Sequence, residues 1–260
     1  MRSALPLLVA TFTWLMMLVG AEAVFAPNCD APWHLAVGEL ILEQGTLPQA
    51  DPYSFTAGGT PWINPAWLYD VLFAGVVSLT GLGGAVVMTA TLAALLTGLL
   101  CHHLLARGFE PLAVILWLGP SVLLIGPIIA LRPQLTTALL SFAFYLILHH
   151  SRQREKLLYS LPPLALLWSN LHGGMLLGIA LIGVFGLEAL VQLNRRRVLL
   201  LLVTGLICLA LTLATPYGLD TYRMMQQVRE SAHTGMISEW SSPLATPRHW
   251  PFFSVSALAI

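Results

Sequence analysis

The chain of 260 residues is 57% hydrophobic and only 9% charged, with a mean hydropathy of +0.79. An ordinary soluble domain is about a quarter charged, so a water-soluble globule is excluded. The 12 Lys+Arg balance the 12 Asp+Glu, which leaves no basic surplus of the kind that holds nucleic acid. Cys29, Cys101 and Cys208 lie far apart and form no C-x-x-C pair, so neither a disulfide framework nor a zinc ribbon is indicated. The length accommodates about seven or eight spans of roughly 20 residues each. The expected fold is all-α: one polytopic transmembrane domain over residues 1–260, with a long extracytoplasmic first loop at 27–81, a helix bundle at 84–214, an outer loop at 215–249 and a further span opening at 250–260.

The first apolar run, Ala4 to about Phe25, follows Arg2 and is longer than the apolar stretch of a usual signal peptide. A retained helix is expected; Ala21-Glu22-Ala23 keeps the alternative of a cleavage site open. From Pro27 to Pro65 the chain turns polar and rich in Gly and Pro, with Asp30, Glu39, Glu43 and Asp51 but no Lys or Arg. Further apolar runs lie at about 66–81, 84–105, 111–131, 134–150, 157–169, 174–193 and 198–214.

Lys and Arg near span ends stay on the cytoplasmic side. If the short run 66–81 is interfacial or re-entrant, Arg2, Arg107, Arg152, Arg154, Lys156 and Arg195 to Arg197 fall inside, and Arg132, Arg223, Arg229 and Arg248 outside. If that run spans, the bias reverses, so the first layout is preferred. It gathers the 27–81 region, Arg132-Pro133-Gln134, Asn170 to Gly174 and the stretch from Pro216 to about Trp250 on one outer face.

Within the first loop, Asp30 ahead of Pro32 is a helix start and Gly45 a stop. Trp33, Val37, Leu40 and Ile41 make an apolar stripe suited to the headgroup region, while Asp30 and His34, four apart, share another face. Two readings of Asp30 stand: a helix cap, or a general base oriented by His34. Tyr53 and Phe55 around Ser54, closed by Gly58-Gly59, predict a hairpin-like excursion, and Asn64 before Pro65 a second helix start. Tyr53, Phe55, Trp62 and Trp67 are interfacial aromatics or, alternatively, a carbohydrate platform.

The run Asp30-x-x-Trp33-His34-Leu35-x-x-Gly38-x-x-Ile41-Leu42-x-x-Gly45-x-x-Pro48-x-x-Asp51-Pro52-Tyr53-Ser54-Phe55-Thr56, continuing to Pro61-Trp62-x-x-x-x-Trp67-Leu68, resembles bacterial polytopic membrane proteins of the GT-C glycosyltransferase architecture. Leu131-Arg132-Pro133-Gln134, Leu167 to Gly174, Pro216-Tyr217-Gly218 and Glu239-Trp240-Ser241-Ser242-Pro243 are similar to later pieces of the same group. The resemblance implies sugar transfer from a polyprenyl-phosphate carrier to a lipid, glycan or protein acceptor on the outer face of the bacterial inner membrane, with the N-terminus cytoplasmic. It also implies a catalytic carboxylate in the first outer loop, and Asp30 occupies that position. Members of the group often pair two acids there and a divalent metal then becomes conceivable, whereas Cys29 and Ala31 flank Asp30 here, against a paired-carboxylate metal site. The group's chains are usually longer, and the apolar run is still open at Ile260, so an N-terminal portion of a larger protein is expected.

Arg132, at the mouth of two apolar runs, has the planar fork that suits a lipid phosphate; a snorkelling helix-end role is the alternative. His172 and Asn170 interrupt a span ahead of Gly173-Gly174 and are candidate contacts to the leaving group. Asp51, Trp62 and Glu239 complete the candidate substrate contacts, with Asp30 and His34 as the catalytic pair. The stretch 219–235 reads as an amphipathic surface helix, the Arg152-Arg154-Lys156 and Arg195-Arg196-Arg197 clusters as cytoplasmic determinants on anionic lipid, and Glu188 as an acid near the interface. No nucleotide-binding or hydrolase motif is present, which favours a lipid-linked donor. A transporter of lipid-linked intermediates and a non-catalytic scaffold are the rival readings.

Overall fold

The computed structural model describes residues 3–20, 30–129 and 131–231, with the side chains of 123–129 left aside. Among these, every regular element is a helix. Two helical stretches, Trp67–Ala106 and Gly173–Val191, are long and apolar enough to cross a membrane. Only 17% and 28% of their most apolar parts are buried, whereas the core helix of a soluble protein is mostly buried. Large apolar side chains such as Leu187, Leu190, Val191, Leu199 and Leu202 are exposed on neighbouring helices, where water would penalise them and lipid would not.

The chain divides into two compact units, 1–29, 86–131 and 222–260 in one and 30–85 and 132–221 in the other. In the first, α1 (Leu5–Val19), with Pro6 in its opening turn, lies against the later part of α3 (Trp67–Ala106) and against α4 (Pro111–Ile129). Side-chain hydrogen bonds join α1 to α3: Thr97 Oγ1 to Thr13 Oγ1 at 3.0 Å and Trp14 Nε1 to Thr91 Oγ1 at 3.3 Å. Gly98 permits the approach, since a Cβ there would sit 3.1 Å from that of Ala10. Cys101, Val114 and Leu118 form the buried centre. The Ala21-Glu22-Ala23 question falls outside the described residues.

In the second unit, α2 (Asp30–Gln44) ends at Gly45, whose φ of +66° glycine adopts without cost. Of its apolar stripe, Val37 and Ile41 are buried within the protein together with Ala31 and Gly38, Leu40 is half-buried and Trp33 is exposed, while Glu39 and Glu43 face outward. The reason is a backbone-close crossing with the first turns of α3, where a Cβ on Gly38 would stand 2.0 Å from the Asp70 carbonyl oxygen and 2.7 Å from the Ala74 Cβ. Gly38→Ala is therefore expected to cost about 1–3 kcal/mol by overpacking. Gly75→Ala, where a Cβ meets open space, should be neutral or slightly stabilising. Denaturation midpoints of the two variants in detergent provide the comparison, and equal midpoints would contradict the crossing.

Between α2 and α3 the expected hairpin-like excursion is present, closed by a bridge between Ala50 and Pro61. α3 is interrupted at Gly81 (φ +72°, ψ −179°), where the sequence separates the 66–81 and 84–105 runs. The part after the break, roughly 25 residues at about 1.5 Å each, is long enough to cross a bilayer, and the shorter part before it is not.

The rest of this unit is α5 (Gln134–His150), α6 (Leu161–Leu171), α7 (Leu176–Val191) and α8 (Arg195–Leu211), with 3-10 turns at Glu155–Ser160 and Gly173–Met175. Trp168 is fully buried, edge-on to Phe144 at 5.2 Å, in a core with Leu148, Leu161, Phe185 and Leu201. Members of both basic clusters make contacts within the protein. Arg152 makes two bonds of 2.8 and 2.9 Å to Glu188 and lies over the Phe185 ring, and Arg196 reaches Glu155 at 2.7 Å. Buried Arg197 donates to the carbonyls of Ser151 and Leu148, satisfying the C-terminal end of α5. α9 (Asp220–Glu230) falls inside the stretch expected to be an amphipathic helix.

Candidate functional site

The polar groups that form the candidate site all belong to the second unit. Asp30 opens α2, where the helix dipole favours an acid, and its carboxylate lies 3.1 Å from the Arg132 guanidinium. Arg132 is nearly enclosed, its side chain 11% exposed, while that of Asp30 is 42% exposed. Arg132 sits just before α5 because Leu131 adopts a left-handed φ of 57°, uncommon for a bulky residue and costing about 1–2 kcal/mol.

His34, one turn after Asp30, does not orient Asp30 as the i, i+4 spacing suggested. Its Nδ1 lies 2.6 Å from Oδ1 of Asp70, a fully buried carboxylate in the first turn of α3. The other Asp70 oxygen accepts from Asn64 Nδ2 at 2.6 Å, and Asn64 Oδ1 accepts the Ala66 N–H at 3.0 Å. Asn64 thus fixes the carboxylate, which fixes the imidazole. The Tyr69 ring stands edge-on to His34 at 5.3 Å. Among the described residues no hydrogen bond reaches Nε2 of His34.

His172 interrupts the chain between α6 and the next 3-10 turn in an extended conformation. Its Nδ1 is 2.7 Å from Thr137 Oγ1, which also accepts Trp168 Nε1–H at 2.9 Å. Gly174 leaves room for this contact, since a Cβ there would be 2.5 Å from Thr137 Oγ1. Burial, and then the electrostatic influence of His34, push the His172 imidazole down to about 4. The folded-state pKa lies below the unfolded one, so His172 contributes stability that is present above pH 6.5 and lost as the pH falls toward 4. Thermal midpoints between pH 7 and 4.5 should fall more steeply for the natural chain than for His172→Asn; parallel curves would contradict this environment.

The other expected contacts that lie in the described residues also have partners within the chain. Asn170 is buried and ties the unit together: Oδ1 accepts Trp67 Nε1–H at 3.0 Å, and Nδ2 donates to the Leu166 and Ala214 carbonyls. Asp51 is spent on its own loop, accepting the Tyr53 and Ser54 N–H groups at 2.8 and 2.9 Å, and hydrogen bonds from Ser54 and then Tyr53 lower its carboxyl pKa. Trp62 packs edge-on to Trp33 at 5.5 Å, and Trp33 meets Tyr53 at 5.2 Å, a self-packed aromatic cluster. Glu239 lies outside the described residues.

Asp70, Asn64, Thr137 and Tyr217 are not among the residues the sequence marks for the site. A signal for Asp70 exists: an acid opening a long apolar helix is a functional candidate by default. The Tyr217 hydroxyl is buried with no partner at good hydrogen-bond geometry among the described residues, close to the Asn64 backbone, and burial raises its pKa. Among the described residues no three His, Cys, Asp or Glu side chains group as metal ligands.

The helices and this buried polar network define a helical protein with two stretches able to cross a membrane. Compared with family models, curated proteins and solved structures, the chain matches none.

Proposed function

We propose that this chain is a multi-helix membrane glycosyltransferase of the GT-C type, taking a sugar from a polyprenyl-phosphate carrier and passing it to an acceptor at the outer face of the bacterial plasma membrane. The observation that carries the reading is the nearly enclosed Arg132 held by Asp30 beside the His34–Asp70–Asn64 network, in a chain otherwise this apolar. Charged groups kept among apolar helices are costly and serve ion or substrate handling. A guanidinium grips a phosphate by two parallel bonds, while the carrier's prenyl chain stays in hydrocarbon. Asp30 then acts by aiming Arg132. The positive-inside bias puts these residues on the outer face together.

The test is turnover by the full chain in lipid vesicles with a panel of polyprenyl-phosphate-linked hexoses labelled in the sugar. The expected result is release of polyprenyl phosphate with label on an acceptor, together with a defined missing sugar in lipid extracts of a deletion strain. Movement of intact donor across the vesicle without bond cleavage would instead identify a transporter, and neither outcome would leave the scaffold reading.

A further inference from the structure

Two imidazoles in this site, His34 and His172, are held by opposite kinds of partner. His34 Nδ1 faces a carboxylate whose second oxygen already accepts from Asn64. A carboxylate in such a network accepts, so Nδ1 carries the hydrogen and Nε2 is left with its lone pair. His172 Nδ1 faces a hydroxyl instead. Trp168 Nε1 can only donate, so it fills one lone pair of Thr137 Oγ1; among the described residues the hydroxyl has no other partner, so its hydrogen goes to the one acceptor in reach, His172 Nδ1 at 2.7 Å. That places the single hydrogen of a neutral His172 on Nε2. No hydrogen bond to either Nε2 is made among the described residues, and the 3.0 Å bond from Trp67 Nε1 to Asn170 Oδ1 brings the first turn of α3, which carries Asp70, to the end of α6, which His172 follows.

We propose that His34 and His172 divide the chemistry of group transfer, His34 taking the acceptor's proton on Nε2 and His172 donating an Nε2–H hydrogen bond to the departing phosphate. This deepens the sugar-transfer reading and rests on it. The acceptor oxygen forms a bond to the anomeric carbon while the bond from that carbon to the carrier's phosphate oxygen breaks. The electron pair of that bond leaves with the polyprenyl phosphate, and the acceptor's proton moves to His34. Asp70 is a positioning residue: it fixes the tautomer of His34 and stabilises the imidazolium as it forms. A neutral donor suits His172, because the burial that depresses its pKa also keeps it from competing for the proton. Among the described residues, Asp70 and Tyr69 contact His34 directly, and the Asp30–Arg132 pair lies one turn away at the start of the same helix.

Side-chain 15N spectra of the full chain, labelled at histidine and held in lipid nanodiscs at pH 7.5, read the tautomers without any substrate. The expected result is Nδ1–H for His34 and Nε2–H for His172, with Asp70→Asn disturbing the first and Thr137→Val the second. Matching tautomers at the two positions would overturn the proposal. In the vesicle assay His34→Gln should lower kcat by about 10²–10⁴-fold with little change in donor KM. His172→Phe should lower it by about 10²–10³-fold, and His172→Gln, whose amide still donates, by much less. Full turnover in His34→Gln overturns the proton-acceptor role even where transfer itself is established. Opposite tautomers in a natural chain that turns over no donor overturn the transfer reading, and the assigned roles with it.

Discussion

Asp70→Ala is expected to destabilise the protein by about 3–5 kcal/mol, the usual cost of removing one member of a buried charge-assisted network. Asp70 is fully buried, and both its oxygens are engaged at 2.6 Å, by His34 and by Asn64. Truncation leaves the Asn64 amide and the His34 ring nitrogen facing apolar surroundings, and each unsatisfied group adds its own desolvation penalty. The variant also frees the first turn of α3, because Asn64 holds both the carboxylate and the Ala66 N–H. Asp30→Ala provides the contrast. Its ion pair with Arg132 is formed by a carboxylate that is 42% exposed, so solvent screening holds its worth to about 1 kcal/mol or less. Chemical denaturation of the two variants in the same detergent measures the difference. A loss of under about 1 kcal/mol for Asp70→Ala would mean that the network is not closed in the folded protein.

The same pair of acids shows how far a sequence can carry the site. Local signals are reliable: the Asp30, Pro32 and Gly45 pattern marks α2, and Gly81 falls between the two apolar runs where α3 is interrupted. The excursion between Ala50 and Pro61 follows from its turn residues. What spacing cannot supply is the partner of each polar group. Asp30 and His34 share a helix face, yet each finds its partner on a distant segment, Arg132 for one and Asp70 for the other. Periodicity reports which residues share a face of their own helix and is silent about what packs against it. Asp51 finds its partners close by in the chain instead. Asp-Pro-Tyr-Ser is itself a turn pattern, so the local use of the carboxylate is legible in the sequence and competes with the substrate role expected of it. Arg197 stands among three arginines that composition treats alike, but it alone is buried, under the end of α5.

Arg132→Gln is expected to lower kcat/KM for a polyprenyl-phosphate donor by about 30–1000-fold, since removing a charged, nearly enclosed phosphate ligand costs about 2–4 kcal/mol. Arg132→Lys should recover only part of this, because an ammonium cannot reproduce the planar two-bond grip. Asp30→Asn acts one step removed. With the 3.1 Å pair gone, the guanidinium keeps its charge and loses its aim, so donor KM should rise by roughly tenfold while kcat changes little. The GT-C resemblance carries the opposite expectation, in which Asp30 itself takes the acceptor's proton. That role would appear as a fall in kcat of about 10²–10⁴-fold at unchanged donor KM. Steady-state kinetics of Asp30→Asn therefore decide between the two carboxylates. A loss confined to KM leaves Asp30 as the holder of Arg132, and a loss confined to kcat makes Asp30 the base and removes that task from the imidazole that Asp70 positions.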